Sequence, residues 1–353
     1  MIDLFGWGPA LHTAFLPLAA QGLRPARITA QHRDLWTCIT ETGETNAKLS
    51  GRFVFDAAAG GFPVVGDWVG LEAEDSVIQA LLPRRGVVQR RSPEGGVQIL
   101  VAHVDTAFLV TSLNEDLNPR RLERYLIATQ EGGLTPIIVL TKADLTENLE
   151  AALHALQDTA KDVPIIAVSA LHDQGLEALH PHLPPNRTAV LLGSSGAGKS
   201  TLLNRLMGRE AMATGEIRSG DDKGRHTTRH RALFRLQSGA LLIDTPGVRE
   251  FGLTGESEAL GDLFQDVTTL MAQCRFSDCT HTTEPGCAVQ DALNTGTLNA
   301  ARLRAYDKLQ REQAFEAQRS QVSAAVAAKQ KWKKIHKNQR AKAKLTHRQT
   351  DWD

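Results

Sequence analysis

The chain has 353 residues, 42% of them hydrophobic and 23% charged, which is enough for two to three globular domains with cores of their own. Lys plus Arg and Asp plus Glu both number 40, yet seven Lys and two Arg fall between Lys329 and Arg348 with no acid among them, so the tail is a separate basic object. No apolar run approaches the roughly 20 residues of a membrane span, the first 20 residues lack the basic start of a secretory signal, and four cysteines argue against a disulfide scaffold, so a reducing cytoplasm is the expected setting.

Between residues 26 and 93, short β-rich pieces at 26–30, 35–40, 52–55 and 68–71 are separated by Gly, Asp and Pro turns without a helical period. This predicts a small five-stranded barrel; OB-like is the preferred form, although an SH3-like barrel would leave a similar trace. Arg84, Arg85, Arg90 and Arg91 would give it a basic edge if they are more than a solvated charge run.

After residue 92 the texture changes. Buried strands are expected at 104–110, 136–140, 164–168 and 188–192, alternating with helices at 119–130, 147–161 and around 176–180. Such alternation implies right-handed βαβ units and a parallel sheet, whose ligands bind beyond the carboxyl ends of the strands.

Each chemical motif sits at such an end. After the first of these helix-covered units, Thr141, Lys142, Ala143 and Asp144 follow a strand. A carboxylate there can accept hydrogen bonds from guanine N1–H and N2–H₂, an edge adenine does not present, while the Lys stem packs along the base. One unit later Ser169 and Ala170 offer backbone to the guanine O6. The strand 188–192 then delivers Gly193, Ser194, Ser195, Gly196, Ala197, Gly198, Lys199, Ser200 and Thr201. This is a P-loop: backbone N–H groups converge on phosphate, Lys199 neutralises the β and γ phosphates, Ser200 offers a hydroxyl to Mg²⁺, and a helix over 199–207 aims its positive end at the same charge. A long polar loop, 209–231, suits a switch that closes Thr228 onto Mg²⁺. Strands at 232–236 and 240–243 follow, the second ending at Asp244, Thr245, Pro246 and Gly247; Asp244 is placed to hold Mg²⁺ through water and the Gly247 N–H to sense the γ phosphate.

Further on, Cys274, Cys279, His281 and Cys287 lie within fourteen residues. Three thiols and an imidazole make a closed tetrahedral set for one structural Zn²⁺. Helical spacing of Leu303, Tyr306 and Leu309 leads into the Lys-rich tail around Trp332, which reads as an RNA-contacting helix or arm.

The guanine-nucleotide motifs stand in rotated order, base-reading before phosphate-binding. With Phe5-Gly6-Trp7, Gly66-Asp67-Trp68-Val69 and the Cys₃His set, the chain resembles the ribosome small-subunit-dependent GTPase A family, bacterial circularly permuted GTPases. The resemblance spans almost the whole chain. It implies a multidomain fold: an N-terminal OB-like barrel (1–95), a permuted α/β P-loop GTPase domain (96–255) and a zinc-binding helical domain with a basic tail (256–353). It also implies a cytoplasmic, monomeric GTP hydrolase that binds GTP and GDP, acts on the 30S subunit and its 16S rRNA during maturation, and touches no membrane. Two departures matter. Thr141 stands where the usual motif has Asn, so a hydroxyl replaces or weakens the amide contact to guanine N7. Val248 stands where many GTPases place the water-orienting Gln, which leaves His226 as the catalytic candidate. An RNA-binding module with an idle nucleotide domain and an ATP-using kinase are the competing readings; the intact Lys199, Ser200, Thr228 and Asp244 speak against the first, and Asp144 with the Ser169-Ala170 pair against the second.

Overall fold

The computed structural model describes residues 1–32, 34–56, 61–72, 74, 76–91, 97–114, 117–160, 162–208, 231–245, 259–315 and 317–318. Strands β1 (Arg24–His32), β2 (Leu35–Ile39), β3 (Glu44–Leu49), β4 (Trp68–Leu71) and β5 (Val77–Leu81) run in the order β1-β2-β3-β5-β4, and β4 returns to pair with β1. The five strands therefore close into the expected barrel, which leaves no free edge among them.

The route to closure differs from the expectation at one point. Residues 52–55 form no strand: they belong to helix α2 (Gly51–Asp56), started by the Ser50 hydroxyl, which accepts the Phe53 N–H at 3.0 Å. A local cap outweighs the β propensity of Phe and Val in so short a run. Their place in the barrel is taken by β3 and β5. The first is a polar alternation, Glu-Thr-Asn-Ala-Lys-Leu, in which only Ala47 is buried.

Ahead of the barrel, a 3₁₀ turn (Ile2–Phe5) and helix α1 (Pro9–Ala19) pack Trp7 on Trp68, with ring centroids 4.8 Å apart. A hairpin, β6 (Val88–Arg91) and β7 (Val97–Val101), leads out of it.

The second sheet half comprises β8 (Thr106–Ser112), β9 (Thr135–Thr141), β10 (Ile165–Ala167), β11 (Thr188–Leu192), β12 (Ala232–Arg235) and β13 (Leu241–Asp244), in the order β10-β9-β8-β11-β13-β12. All its pairings are parallel except β12 with β13. Helices α3 (Pro119–Glu131) and α4 (Leu149–Ala160) cover one face, and α5 (Lys199–Met207) with the 3₁₀ turn Leu176–His182 covers the other. The edge strand β12 also meets the barrel, through Ala30 opposite Ala232.

Arg27 joins the two halves. It is 1% exposed and donates to the carbonyls of Gly66, Phe5 and His103 and to the Thr188 hydroxyl at the start of β11. Burial lowers its pKa to about 10, still charged at neutral pH. Nearby, Asp67 is fully buried and holds Arg84 in a bidentate pair at 2.7 and 2.9 Å. Arg84 is thus a structural partner of the Gly-Asp-Trp-Val motif and not part of a basic edge. A cavity of about 680 Å³ lies here at the amino ends of β8, β9 and β11, lined by Trp7, Arg27, His103 and His182 among others, far from the strand ends that carry the motifs.

Helices α6 (Ala259–Leu263), α7 (Gln265–Ala272), α8 (Ala288–Thr295) and one over 300–315 form a third core around Phe264 and Val289. That core includes Ile127 of α3. Arg124 of α3 pairs with Glu312, and Gln130 donates to Asp262, so the C-terminal helices are docked on the parallel-sheet half through α3. Arg302, 5% exposed, sits 3.9 Å above the Phe264 ring and bonds Asp266, with Glu123 of α3 at 3.7 Å.

Candidate functional site

The candidate site residues gather at the carboxyl ends of four strands, β9, β10, β11 and β13. Between β11 and α5 the phosphate loop is shaped by glycine where no other residue fits. Gly193 has φ +154° and a Cβ there would stand 2.1 Å from the Val110 carbonyl; Gly198 has φ +88° and abuts Thr141. Lys199 is 8% exposed, and its Nζ donates to the carbonyls of Gly193 (2.8 Å) and Ser194 (2.5 Å), folded back over the loop it belongs to. Ser200 and Thr201 begin α5 behind it.

On β13, next to β11, Asp244 is 2% exposed and its Oδ1 is buried without a hydrogen-bond partner among the described residues. Burial raises its pKa above the ordinary carboxylate value, and the charge of Lys199 opposes that rise. A buried carboxylate oxygen left over beside a phosphate loop fits a divalent cation, the hard oxygen-seeking kind that completes its shell with water and phosphate. Thr245 steadies this end by donating to the Leu191 carbonyl at 2.7 Å.

The residues expected to read a base follow β9 and β10. Lys142 adopts a left-handed conformation (φ +58°), which turns the chain into the 3₁₀ turn Ala143–Leu145, and the Ala143 N–H donates to the Val168 carbonyl at the end of β10. Asp144 Oδ1 accepts the Ser169 hydroxyl at 2.5 Å, and His172 Nε2 lies 3.9 Å from its other oxygen. The Ser169 bond is the main reason that the Asp144 pKa sits below its ordinary value. The carboxylate is therefore charged and aimed before any ligand arrives.

Thr141 does something the sequence did not suggest. Its hydroxyl donates to the Ala197 carbonyl of the phosphate loop at 2.6 Å, and it is 2% exposed. The single proton that could have met guanine N7 is committed there, so Thr141 ties the base-reading strand to the phosphate loop. Thus Thr141, Asp144, Ser169, Ala170, Lys199 and Asp244 all gather at one end of the sheet, although 103 positions separate Thr141 from Asp244 in the chain. His226, Thr228 and Gly247, together with the switch loop, Val248 and the basic tail around Trp332, lie outside the described residues.

The second cluster is local. The ligand atoms of Cys274, Cys279, His281 and Cys287 lie within 4.8 Å of one another, the two closest thiols at 3.5 Å from His281 Nδ1. His281 is left-handed (φ +58°) and its carbonyl accepts the Gln290 amide. Partial burial pushes the Cys274 thiol up, but the Val289 and Ala288 N–H groups at the start of α8, together with hydrogen bonds from Cys287 and Cys279, hold the thiol below its ordinary value. Cys287 caps the same helix, accepting the Gln290 N–H at 3.4 Å. A helix start that stabilises the Cys274 thiolate and a soft donor set with no fifth ligand among the described residues fit a tetrahedral structural metal. Sequence reading missed Glu284. Its carboxylate takes the Thr280 hydroxyl and the N–H groups of Thr280, Thr282 and Thr283, which fold the loop around the four ligands.

The chain is similar to known proteins over most of its length. A family model described as RsgA GTPase matches residues 81–254. A second, described as ABC transporter, matches residues 176–346, a span that includes the phosphate loop common to many nucleotide-binding proteins. The small ribosomal subunit biogenesis GTPase RsgA of Opitutus terrae is 42% identical, over 98% of this chain and 99% of its own. That of Xylella fastidiosa (strain 9a5c) is 45% identical, over 91% of this chain and 96% of its own. Among solved structures, YjeQ from Thermotoga maritima is similar with a TM-score of 0.60 and 26% identity, covering 82% of this chain and 98% of that one. YloQ, a circularly permuted GTPase, has a TM-score of 0.57 at 26% identity, covering 82% and 94%.

Proposed function

The chain belongs to the RsgA GTPase family, and on that footing we propose that it hydrolyses GTP to GDP and phosphate in the biogenesis of the small ribosomal subunit. The observation that carries this reading is the joined pocket: Asp144, held by Ser169, is linked through Thr141 and Ala197 to the loop that carries Lys199.

In this reading Lys199 exchanges two backbone carbonyls for β and γ phosphate oxygens, a gain because both partners are then charged. The N–H groups of Gly193, Ser194, Ser195, Gly196, Ala197, Gly198 and Thr201 surround the same phosphates. Asp144 accepts from the guanine N1 and N2 edge while Ser169 keeps it oriented. Ala170 meets O6 through its backbone, and the Lys142 stem lies along the base. Ser200, Thr228 and Asp244 hold Mg²⁺, which when bound neutralises charge building up between the β and γ phosphates. Gly247 senses the γ phosphate. His226 orients the attacking water or accepts its proton, and because it stands on a long loop, turnover is slow until a partner orders that loop.

The partner is the 30S subunit, contacted through 16S rRNA by the barrel, the C-terminal helices and the basic tail. Cys274, Cys279, His281 and Cys287 hold one structural Zn²⁺ that keeps those helices in shape. The working protein is a cytoplasmic monomer divided at about residues 95 and 255. GTP and ATP hydrolysis measured with and without purified 30S subunits tests this reading. Preference for GTP and stimulation by 30S are expected. ATP preference, or no turnover in any mixture, rejects it; guanine-independent RNA binding would then favour the idle-domain alternative.

A further inference from the structure

Arg205 belongs to none of the nucleotide motifs. It lies six residues beyond Lys199 on α5, yet its side chain leaves the helix for the loop that follows β10. Nε donates to the Ala170 carbonyl at 2.8 Å, Nη2 to the Leu171 carbonyl at 3.3 Å, and Nη1 lies 3.4 Å from Asp173 Oδ2. One planar fork therefore takes three successive points of the same loop.

That loop is compact at its base and needs holding at its tip. Ser169 and Gln174 exchange backbone hydrogen bonds at 2.9 and 3.0 Å, which close the two ends, and Asp173 takes a left-handed turn (φ +54°) between them. Leu171 at the tip is 65% exposed. The carbonyls of Ala170 and Leu171 are the backbone groups through which a neighbour can set the angle of the tip, and Arg205 uses both.

We propose that Arg205 is a positioning residue for base recognition: it locks the Ser169-Ala170 loop to the helix whose first turn holds the phosphates. The inference rests on the guanine reading given above and adds a residue to it. Each of the two base-reading loops then has one tie to the phosphate half: Thr141 to Ala197 for the first, Arg205 to Ala170 and Leu171 for the second. In the permuted order both loops precede the phosphate loop, and no short stretch of chain joins them to it, so side chains supply the connection. The consequence is linkage. Phosphate contacts that hold α5 in place also hold, through Arg205, the edge that reads O6, so part of the discrimination between purines is exercised only when both ends of the nucleotide are bound. A guanidinium suits this task, since an ammonium can reach one carbonyl but cannot hold two carbonyls and a carboxylate in one plane.

Titration calorimetry of GDP, ADP and magnesium pyrophosphate on the full chain and its Arg205→Met and Arg205→Lys variants tests the assignment. Arg205→Met is expected to weaken GDP about tenfold, or about 1.4 kcal/mol, and to lower the GDP-to-ADP affinity ratio by a similar factor. Pyrophosphate binding stays within about twofold of the parent, because the phosphate loop is untouched. Arg205→Lys recovers part of the ratio. The inference falls if GDP and pyrophosphate weaken together by one factor in both variants, which is what general loosening of α5 would give, or if the GDP-to-ADP ratio does not move. A parent protein that binds GDP no better than ADP would remove the guanine reading itself, and this inference with it.

Discussion

The nucleotide pocket and the Cys₃His cluster are built on opposite plans. The pocket draws Thr141, Ser169, Lys199 and Asp244 from four different strand ends, and its geometry is imposed by the register of parallel strands such as Val190 opposite Ile243 and Leu192 opposite Leu109. The cluster draws its four ligands from fourteen consecutive residues, and a short loop braced by Glu284 brings them together. A site assembled by a sheet has its shape before the ligand binds. One assembled by a loop depends on its ligand for much of its stability, since the loop has little apolar material of its own.

The sharpest way to break this contrast is to deprive the proposed zinc site of its ion. Chelation, or Cys287→Ser, is expected to withdraw most of the folding free energy of the cluster, on the order of 10 kcal/mol for structural zinc. The C-terminal helices should then become sensitive to proteolysis and lose circular-dichroism signal, while GDP affinity changes less than about threefold because the sheet stands without them. Loss of nucleotide binding on chelation would show that the two regions share one folding unit.

The converse experiment attacks the pocket and spares the fold. Lys199→Ala is expected to lower GTP turnover at least about a hundredfold, with zinc content unchanged. Asp144→Asn is expected to move preference from guanine towards xanthine nucleotides by about two orders of magnitude, read by competition binding. An unchanged preference would show that the base lies elsewhere.

Smaller effects sharpen the picture. Thr141→Val leaves the buried Ala197 carbonyl without its donor and is expected to cost about 1 to 2 kcal/mol, seen as a lower Tm together with weaker GDP binding, both restored by Thr141→Ser. The pH dependence of guanine selectivity should be the smallest effect. Because the Ser169 hydroxyl holds the Asp144 pKa below the ordinary 3.8, the contribution of the charged form is fully present above that value and is lost only as pH falls through the lowered one. Selectivity is thus expected to stay flat from about pH 8 to about pH 5. Ser169→Ala, by raising the pKa, moves the acid loss upward.

Much of this was legible because the local chemistry is stringent. Glycines in a P-loop, an Asp after Thr-Lys-Ala and three Cys with a His have few other uses, and the expected strand 188–192 and helix 199–207 coincide with β11 and α5. Half-exposed barrel strands were harder. Glu44–Leu49 is mostly polar and Val77–Leu81 lacks a strict alternation, whereas Arg-Phe-Val-Phe at 52–55 looks strand-like and is helical. Arg84 looked like surface charge until Asp67 was seen beneath it.

The amino-acid sequence by itself determined which chemical groups the protein owns and in what order, because motif residues are constrained by the ligand atoms they must meet. Tertiary structure decided which of them touch. That Thr141 serves the phosphate loop, that Arg205 reaches the Ala170 loop, and that α3 carries the C-terminal helices all follow from strand register and helix packing, which depend on contacts between segments far apart in the chain and leave no mark in any one of them.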